Sequence, residues 1–276
     1  MIDTHESCAR SGVTRQPATQ DMLRQFDTIT GHARRLALMW DAVKGCIFDE
    51  RLPAGPICGT TFRKGDETML ELIDIGRTYG KKTVLKGVDR QFERGATVIT
   101  GPSGAGKSTL LRLCATVEKP SAGQRLWNGK PIKSQMKAYR TGLGYAPQRI
   151  DFPEDLSGLD FMLHVAALKN LSLGPAKTQA VALLDRLGLA RDSGGRIGTY
   201  SGGMRRRLGL AQAFLGDPEI LILDEPTAEL DHVTGEHVND LIFETAGRAV
   251  VLMTTHLQDS LAGRSFDTFD IQPVAA

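Results

Sequence analysis

What this chain lacks narrows its identity first. Its 276 residues contain no apolar run near the ~18 residues that a membrane-spanning helix needs. The densest runs, residues 220–223 and 249–253, are only four and five residues long. Cysteine is scarce: Cys8, Cys46, Cys58 and Cys114 show no C-x-x-C spacing and no regular framework, so a reducing cytosol is expected. Neither sign of charge dominates, with 34 Lys+Arg against 32 Asp+Glu, so the chain has no strong basic field for nucleic acid or an anionic membrane and any anion site must be local. The opening MIDTHESCAR has neither the basic nor the apolar region of a signal peptide, and a cytosolic chain is expected. Internal repeats and low-complexity tracts are absent. What remains is ordinary globular composition, 41% hydrophobic and 24% charged, which excludes a wholly disordered or collagen-like chain.

The periodicity divides the chain near residue 67. Before it, Met22, Leu23, Phe26 and Ile29, then Leu36, Met39, Trp40 and Val43, recur at helical spacing on either side of Gly31. Two short amphipathic helices are expected, followed by an irregular linker at 52–66 with two prolines and three glycines. From residue 68 onward, β-rich runs at 69–75, 91–92, 96–100, 219–223 and 249–254 alternate with helical ones, the pattern of an α/β layered domain. Between 153 and 199 strand signals vanish and helix-period residues at 161–171 and 178–189 take over, predicting a helical subdomain inserted at about 149–205.

The strand at 96–100 runs directly into Gly101, Pro102, Ser103, Gly104, Ala105, Gly106, Lys107, Ser108 and Thr109, which matches G-x-x-x-x-G-K-[ST] between a strand and a helix. Glycines let successive backbone N–H groups turn inward around a polyphosphate, and the helix N-terminus adds its positive end. Lys107 is placed to reach the β- and γ-phosphates, and Ser108 to join the shell of a bridging Mg²⁺. A second apolar strand ends in Asp224 and Glu225, two carboxylates at the carboxyl end of a buried strand, where α/β sheets hold ligands. Asp224 is assigned to the metal. Glu225, expected to point the other way along the pleat, is assigned to the water attacking the γ-phosphate.

Ser201, Gly202 and Gly203, continuing into Met204 and Arg205, resemble the signature motif of the ATP-binding cassette (ABC) family. The likeness covers about residues 68–276, and the order agrees: phosphate loop, Gln148, helical insertion, signature, Walker B strand, Asp231 and His256. It implies a P-loop NTPase core of the ABC ATPase type that hydrolyses ATP to ADP and phosphate with Mg²⁺. By the same resemblance, Gln148 meets Mg²⁺ or the attacking water, His256 contacts the γ-phosphate, and Tyr79 stacks on adenine. Ser201, Gly202 and Gly203 would complete the nucleotide site of a second cassette, in a homodimer or heterodimer. Arg205, Arg206 and Arg207 read as a solvated basic face. The sequence departs from the family at Glu229, where glycine is common, at His232, where proline is common, and in the 20 residues after His256, fewer than the usual closing strands occupy.

Two classes of function remain open. The first is the ATPase subunit of a transporter with a separate permease, cytoplasmic and held at the inner face of the membrane by that permease, which would dock near 149–154 and 161–171. The second is a soluble cassette acting on ribosomes or DNA; those relatives usually carry two cassettes or a long coiled coil, whereas Gln148 and Ser201 are 53 positions apart. The stretch from Tyr200 to Gln212, with Thr254, Thr255 and His256, most resembles bacterial export cassettes, with import cassettes the alternative. In residues 1–67 nine Lys/Arg balance nine Asp/Glu, which weighs against DNA binding and leaves a docking element or a tail.

Overall fold

The structure is a computed structural model that describes residues 69–256 and 261–274. The helices and linker expected before residue 68, with Cys8, Cys46 and Cys58, lie outside the described residues.

The strands in chain order are β1 (Met69–Tyr79), β2 (Lys82–Glu93), β3 (Gly95–Thr100), β4 (Ala122–Trp127), β5 (Lys130–Pro131), β6 (Leu143–Ala146), β7 (Ile220–Asp224), β8 (Val250–Thr254) and β9 (Asp267–Asp270). The helices are α1 (Lys107–Cys114), α2 (Met136–Thr141), α3 (Gly158–Leu168), α4 (Leu173–Arg186), α5 (Gly202–Phe214) and α6 (His232–Ala246). One sheet is antiparallel in the order β2-β1-β4-β5; the other is parallel in the order β6-β7-β8-β3-β9.

Alternation along the parallel strands separates two cores. Ile220, Ile222, Val250 and Leu252 face a cluster that includes Leu110, Leu111 and Leu113 of α1 and Leu70, Leu72 and Ile75 of β1. Leu221, Leu223, Val251 and Met253 face the opposite cluster, with Leu208 and Leu210 of α5, Met162 of α3 and Leu184 of α4. Both faces are covered, so these strands read as continuous apolar runs, as parallel strands do. The leucines of α1 are fully buried, each contributing about 1.5–3 kcal/mol, and they fix the helix that follows the phosphate loop. Burial in the same helix pushes the Cys114 thiol up to about 12, which leaves it unreactive.

The expected α/β architecture is present, with differences in extent. The run at 69–75 continues to Tyr79, and residues 91–92 are the end of the 12-residue β2. Strands β4 and β6 were not expected: β4 opens on the exposed Ala122, Gly123 and Gln124, and β6 has only four residues. The interval 153–199 holds α3 and α4 and, among the described residues, only an isolated bridge between Ser157 and Arg196. Near the C-terminus, β9 pairs in parallel with β3 at the sheet edge.

Candidate functional site

The site forms where the parallel strands end. Strand β3 passes into the phosphate loop through Gly101, whose φ of 133° suits glycine and where a Cβ would strike the Ile271 carbonyl oxygen. Gly106 closes the loop with φ 103°, and a Cβ there would come within 2.9 Å of Leu85. Its left-handed turn starts α1 without a side-chain cap and without an acidic residue in the first turn. Of the other helices, α3, α5 and α6 are capped by Ser157, Ser201 and Asp231, while α2 and α4 also lack a side-chain cap but do not follow a glycine loop at a strand end. The first-turn N–H groups of α1 therefore lack a side-chain acceptor, which is the condition for anion binding at a helix start. Pro102, Ser103 and Gly104 are exposed, Ala105 and Thr109 are buried, and Ser108 is half-buried on the first turn. Lys107 Nζ donates to the carbonyls of Gly101 at 2.7 Å and Pro102 at 3.0 Å, folding the ammonium back over the loop.

The carboxylates lie two strands away, across β8. Asp224 is the last residue of β7 and is 5% exposed; the Thr254 hydroxyl, ending β8, donates to its Oδ1 at 2.7 Å. The same hydroxyl accepts the Glu225 N–H at 2.9 Å. Glu225 does not simply continue the pleat. Its φ of 53° breaks the strand and brings its carboxylate 2.8 Å from His256 Nε2 and 3.5 Å from Gln148 Nε2. Gln148, the adjacent pair Asp224 and Glu225, and His256 come from three separate stretches of sequence and are thus brought together at the ends of β6, β7 and β8.

Tyr79, at the end of β1, is 38% exposed. Its hydroxyl donates to Glu118, and the Arg77 guanidinium lies 4.4 Å above its ring. Glu118 also pairs with Arg112, which donates to Thr109 Oγ1 at 3.1 Å, so the tyrosine is fastened to the end of the phosphate loop. Burial disfavours the charged Glu118 carboxylate, but hydrogen bonds from Tyr79 and Arg112 outweigh it and hold the group below the usual carboxylate range.

The signature segment stands apart. Ser201 Oγ accepts the Met204 N–H, and among the described residues Ser201, Gly202 and Gly203 share no hydrogen bond with the phosphate loop. The arginines that follow correct the expectation of a solvated face. Arg205 reaches Glu154 at 3.2 Å, and Arg207 donates to the carbonyls of Leu187 and Gly188. Arg206 donates to the carbonyls of Pro147, Gln148, Asp224 and Glu225. A run of charge reads as solvated because sequence does not reveal the main-chain carbonyls that the fold brings within reach.

Sequence reasoning therefore missed Thr254, Arg206 and the brace of Arg77, Arg112 and Glu118. The signal for Thr254 was a hydroxyl ending an otherwise apolar strand. Arg206 carried no signal that set it apart from its two neighbours.

The comparisons with known proteins agree with this geometry. The ABC transporter family model matches residues 85–228, just over half of the chain. The daunorubicin resistance ATP-binding protein DrrA3 of Streptomyces coeruleorubidus is 35% identical over 203 residues, covering 72% of this chain and 64% of that protein. The Nod factor export ATP-binding protein I of Rhizobium etli is 31% identical over 206 residues, covering 71% and 64%. The chain thus matches less than two thirds of these relatives' length. Among solved structures, an ATP-binding subunit of an ABC transporter superposes with TM-score 0.68 at 25% identity, covering 75% of this chain and 89% of that one. An ABC transporter ATP-binding protein from Pyrococcus furiosus gives TM-score 0.63 at 26% identity, covering 74% and 97%. With a glycine loop opening an uncapped helix, an acidic strand end two strands away, and a family model matched across both, this chain belongs to the ABC transporter family.

Proposed function

We propose that the chain binds and hydrolyses ATP and that, paired with a second cassette, it powers export through a separate membrane-spanning permease. The observation that carries this is the convergence of Gln148, Asp224, Glu225 and His256 at the ends of three neighbouring strands, in the same parallel sheet whose β3 leads into the uncapped start of α1. The N–H groups of residues 104–109 would cradle the phosphates, and Lys107 would exchange its two carbonyl partners for phosphate oxygens. Tyr79 would stack on the adenine.

The donor set suits Mg²⁺: the Ser108 hydroxyl, the Asp224 carboxylate and the Gln148 amide oxygen are all hard oxygen ligands. When bound, the ion neutralises charge on the β- and γ-phosphates. Glu225 accepts a proton from the attacking water and His256 steadies the γ-phosphate, while the Thr254 hydroxyl holds Asp224 and the Glu225 backbone in place.

The isolation of Ser201, Gly202 and Gly203 from the phosphate loop supports a site completed by another chain. The resemblance to resistance and export ATP-binding proteins supports export. No described helix is long and apolar enough to cross a membrane, so the translocation path is assigned to a partner, which would hold this chain at the inner face of the membrane. ATP titration of wild type and Lys107→Ala tests the core of this reading. The variant is expected to stay folded and lose about tenfold or more in affinity, as charge-assisted bonds are removed. Equal affinity in the two proteins would overturn the phosphate-loop assignment.

A further inference from the structure

Arg206 sits in the second turn of α5, five residues after the helix cap Ser201, and its guanidinium reaches out of the helical region into the ends of two parallel strands. One terminal nitrogen donates to the carbonyls of Pro147 at 2.8 Å and Gln148 at 2.9 Å, just beyond β6. The other donates to the carbonyls of Asp224 at 2.7 Å and Glu225, at the end of β7. Strands β6 and β7 are direct neighbours, so a single planar group spans the gap between their ends. Its Nε is buried and finds no acceptor, so the group's bonding is committed to these four carbonyls.

Two of the four bonded carbonyls belong to the residues whose side chains meet 3.5 Å apart, Gln148 and Glu225, and the other two to their chain neighbours Pro147 and Asp224. Glu225 occupies the left-handed region at φ 53°, which a glutamate disfavours and which surrounding bonds must hold. Thr254 restrains its N–H and Arg206 its carbonyl, so the peptide units on both sides of the Glu225 Cα are pinned. Lysine could not reproduce this, because one nitrogen cannot fork to two carbonyl pairs in a plane.

We infer that Arg206 is a positioning residue that ties the orientation of α5, and with it the Ser201 loop at the helix start, to the aim of Gln148 and Glu225. This deepens the ATPase reading and rests on it for its kinetic arm. Two segments with separate roles, one offered to a second chain and one facing the chain's own nucleotide, would then move as one body.

The test uses Arg206→Lys, which keeps the charge and stem, alongside Arg206→Met. In steady-state assays of the full chain, kcat is expected to fall ~10- to 100-fold with KM for ATP within about twofold, the split expected of misaimed rather than missing groups. In a Glu225→Gln background the same changes should cost less than about twofold more, since residues acting through one group are not additive. Hydrogen exchange supplies an arm independent of catalysis: segments 143–150 and 220–228 should both lose protection in Arg206→Lys while a segment remote from the clamp, 82–93, keeps its own. Wild-type kcat in either variant, losses that multiply with Glu225→Gln, or unchanged exchange in both segments would overturn the inference. A wild type that hydrolyses no ATP would instead remove the ATPase reading, leaving the exchange experiment to judge the clamp.

Discussion

His256 Nε2 lies 2.8 Å from Glu225 Oε1, joining a residue just past β8 to one just past β7. The carboxylate beside it, Asp224, is instead occupied by Thr254. These different surroundings separate two neighbouring acids. Glu225→Gln keeps size and hydrogen bonding but removes the proton acceptor, and turnover should fall 10²- to 10⁴-fold, roughly the worth of a general base, with ATP binding retained. Asp224→Asn should lose Mg²⁺-dependent nucleotide affinity as well. Phosphate release and ATP titration on both variants make the comparison; an identical loss of affinity in the two would show the assignments to be wrong.

Thr254 serves two partners through one oxygen, the buried Asp224 and the half-buried Glu225, and valine matches its shape without the hydroxyl. Thr254→Val should cost about 2 kcal/mol or more, because the Glu225 N–H and an Asp224 oxygen lose their partner. Thr254→Ser should restore most of that. Urea unfolding of the three proteins decides, and equal midpoints for valine and threonine would contradict the role.

Glu229 has φ 64°, in the left-handed region, at the position where the family resemblance leads one to expect glycine. The residue thus adopts the conformation that glycine would adopt freely. Glu229→Gly should stabilise the fold by up to ~1 kcal/mol. A loss of stability on thermal melting would mean that the Glu229 side chain makes a compensating contact.

Lys169, at the end of α3, is buried with its ammonium donating to the Leu215 carbonyl at 2.6 Å. Burial lowers it from the ordinary 10.5 to about 8. Between these values the unfolded chain binds the proton more tightly than the folded one, so the penalty is complete below pH 8 and lifts as pH rises toward 10.5. Relative to Lys169→Met, wild type should therefore gain stability between pH 7.5 and 10, by on the order of 2 kcal/mol. Denaturant midpoints at the two pH values test the sign; a difference that is flat or falling would refute it.

How much of this was legible in the sequence depended on whether a function is contiguous. The phosphate loop could be read because backbone geometry and lysine reach are set within nine neighbouring residues. Strands β7 and β8 could be read because burial on both faces leaves an unbroken apolar run. Strand β4 could not: its first three residues are exposed, and its pairing to β1 is decided by partners about fifty positions away. Arg206 and Thr254 stayed hidden because they act on main-chain atoms or through a single hydroxyl, and those targets exist only once strands distant in sequence lie side by side.

The order of the parallel sheet has a consequence for charge. Strand β8 is interleaved between β3, which carries the lysine loop, and β7, which carries the acids. Two interstrand steps set these ends ~10 Å apart. Had β3 and β7 been adjacent, the ammonium and the carboxylates would stand within reach of mutual neutralisation. The inserted strand works as a spacer gauge: the hydrogen bonds of Lys107 among the described residues go to neutral carbonyls, and the opposite charges are carried on strand ends two interstrand steps apart.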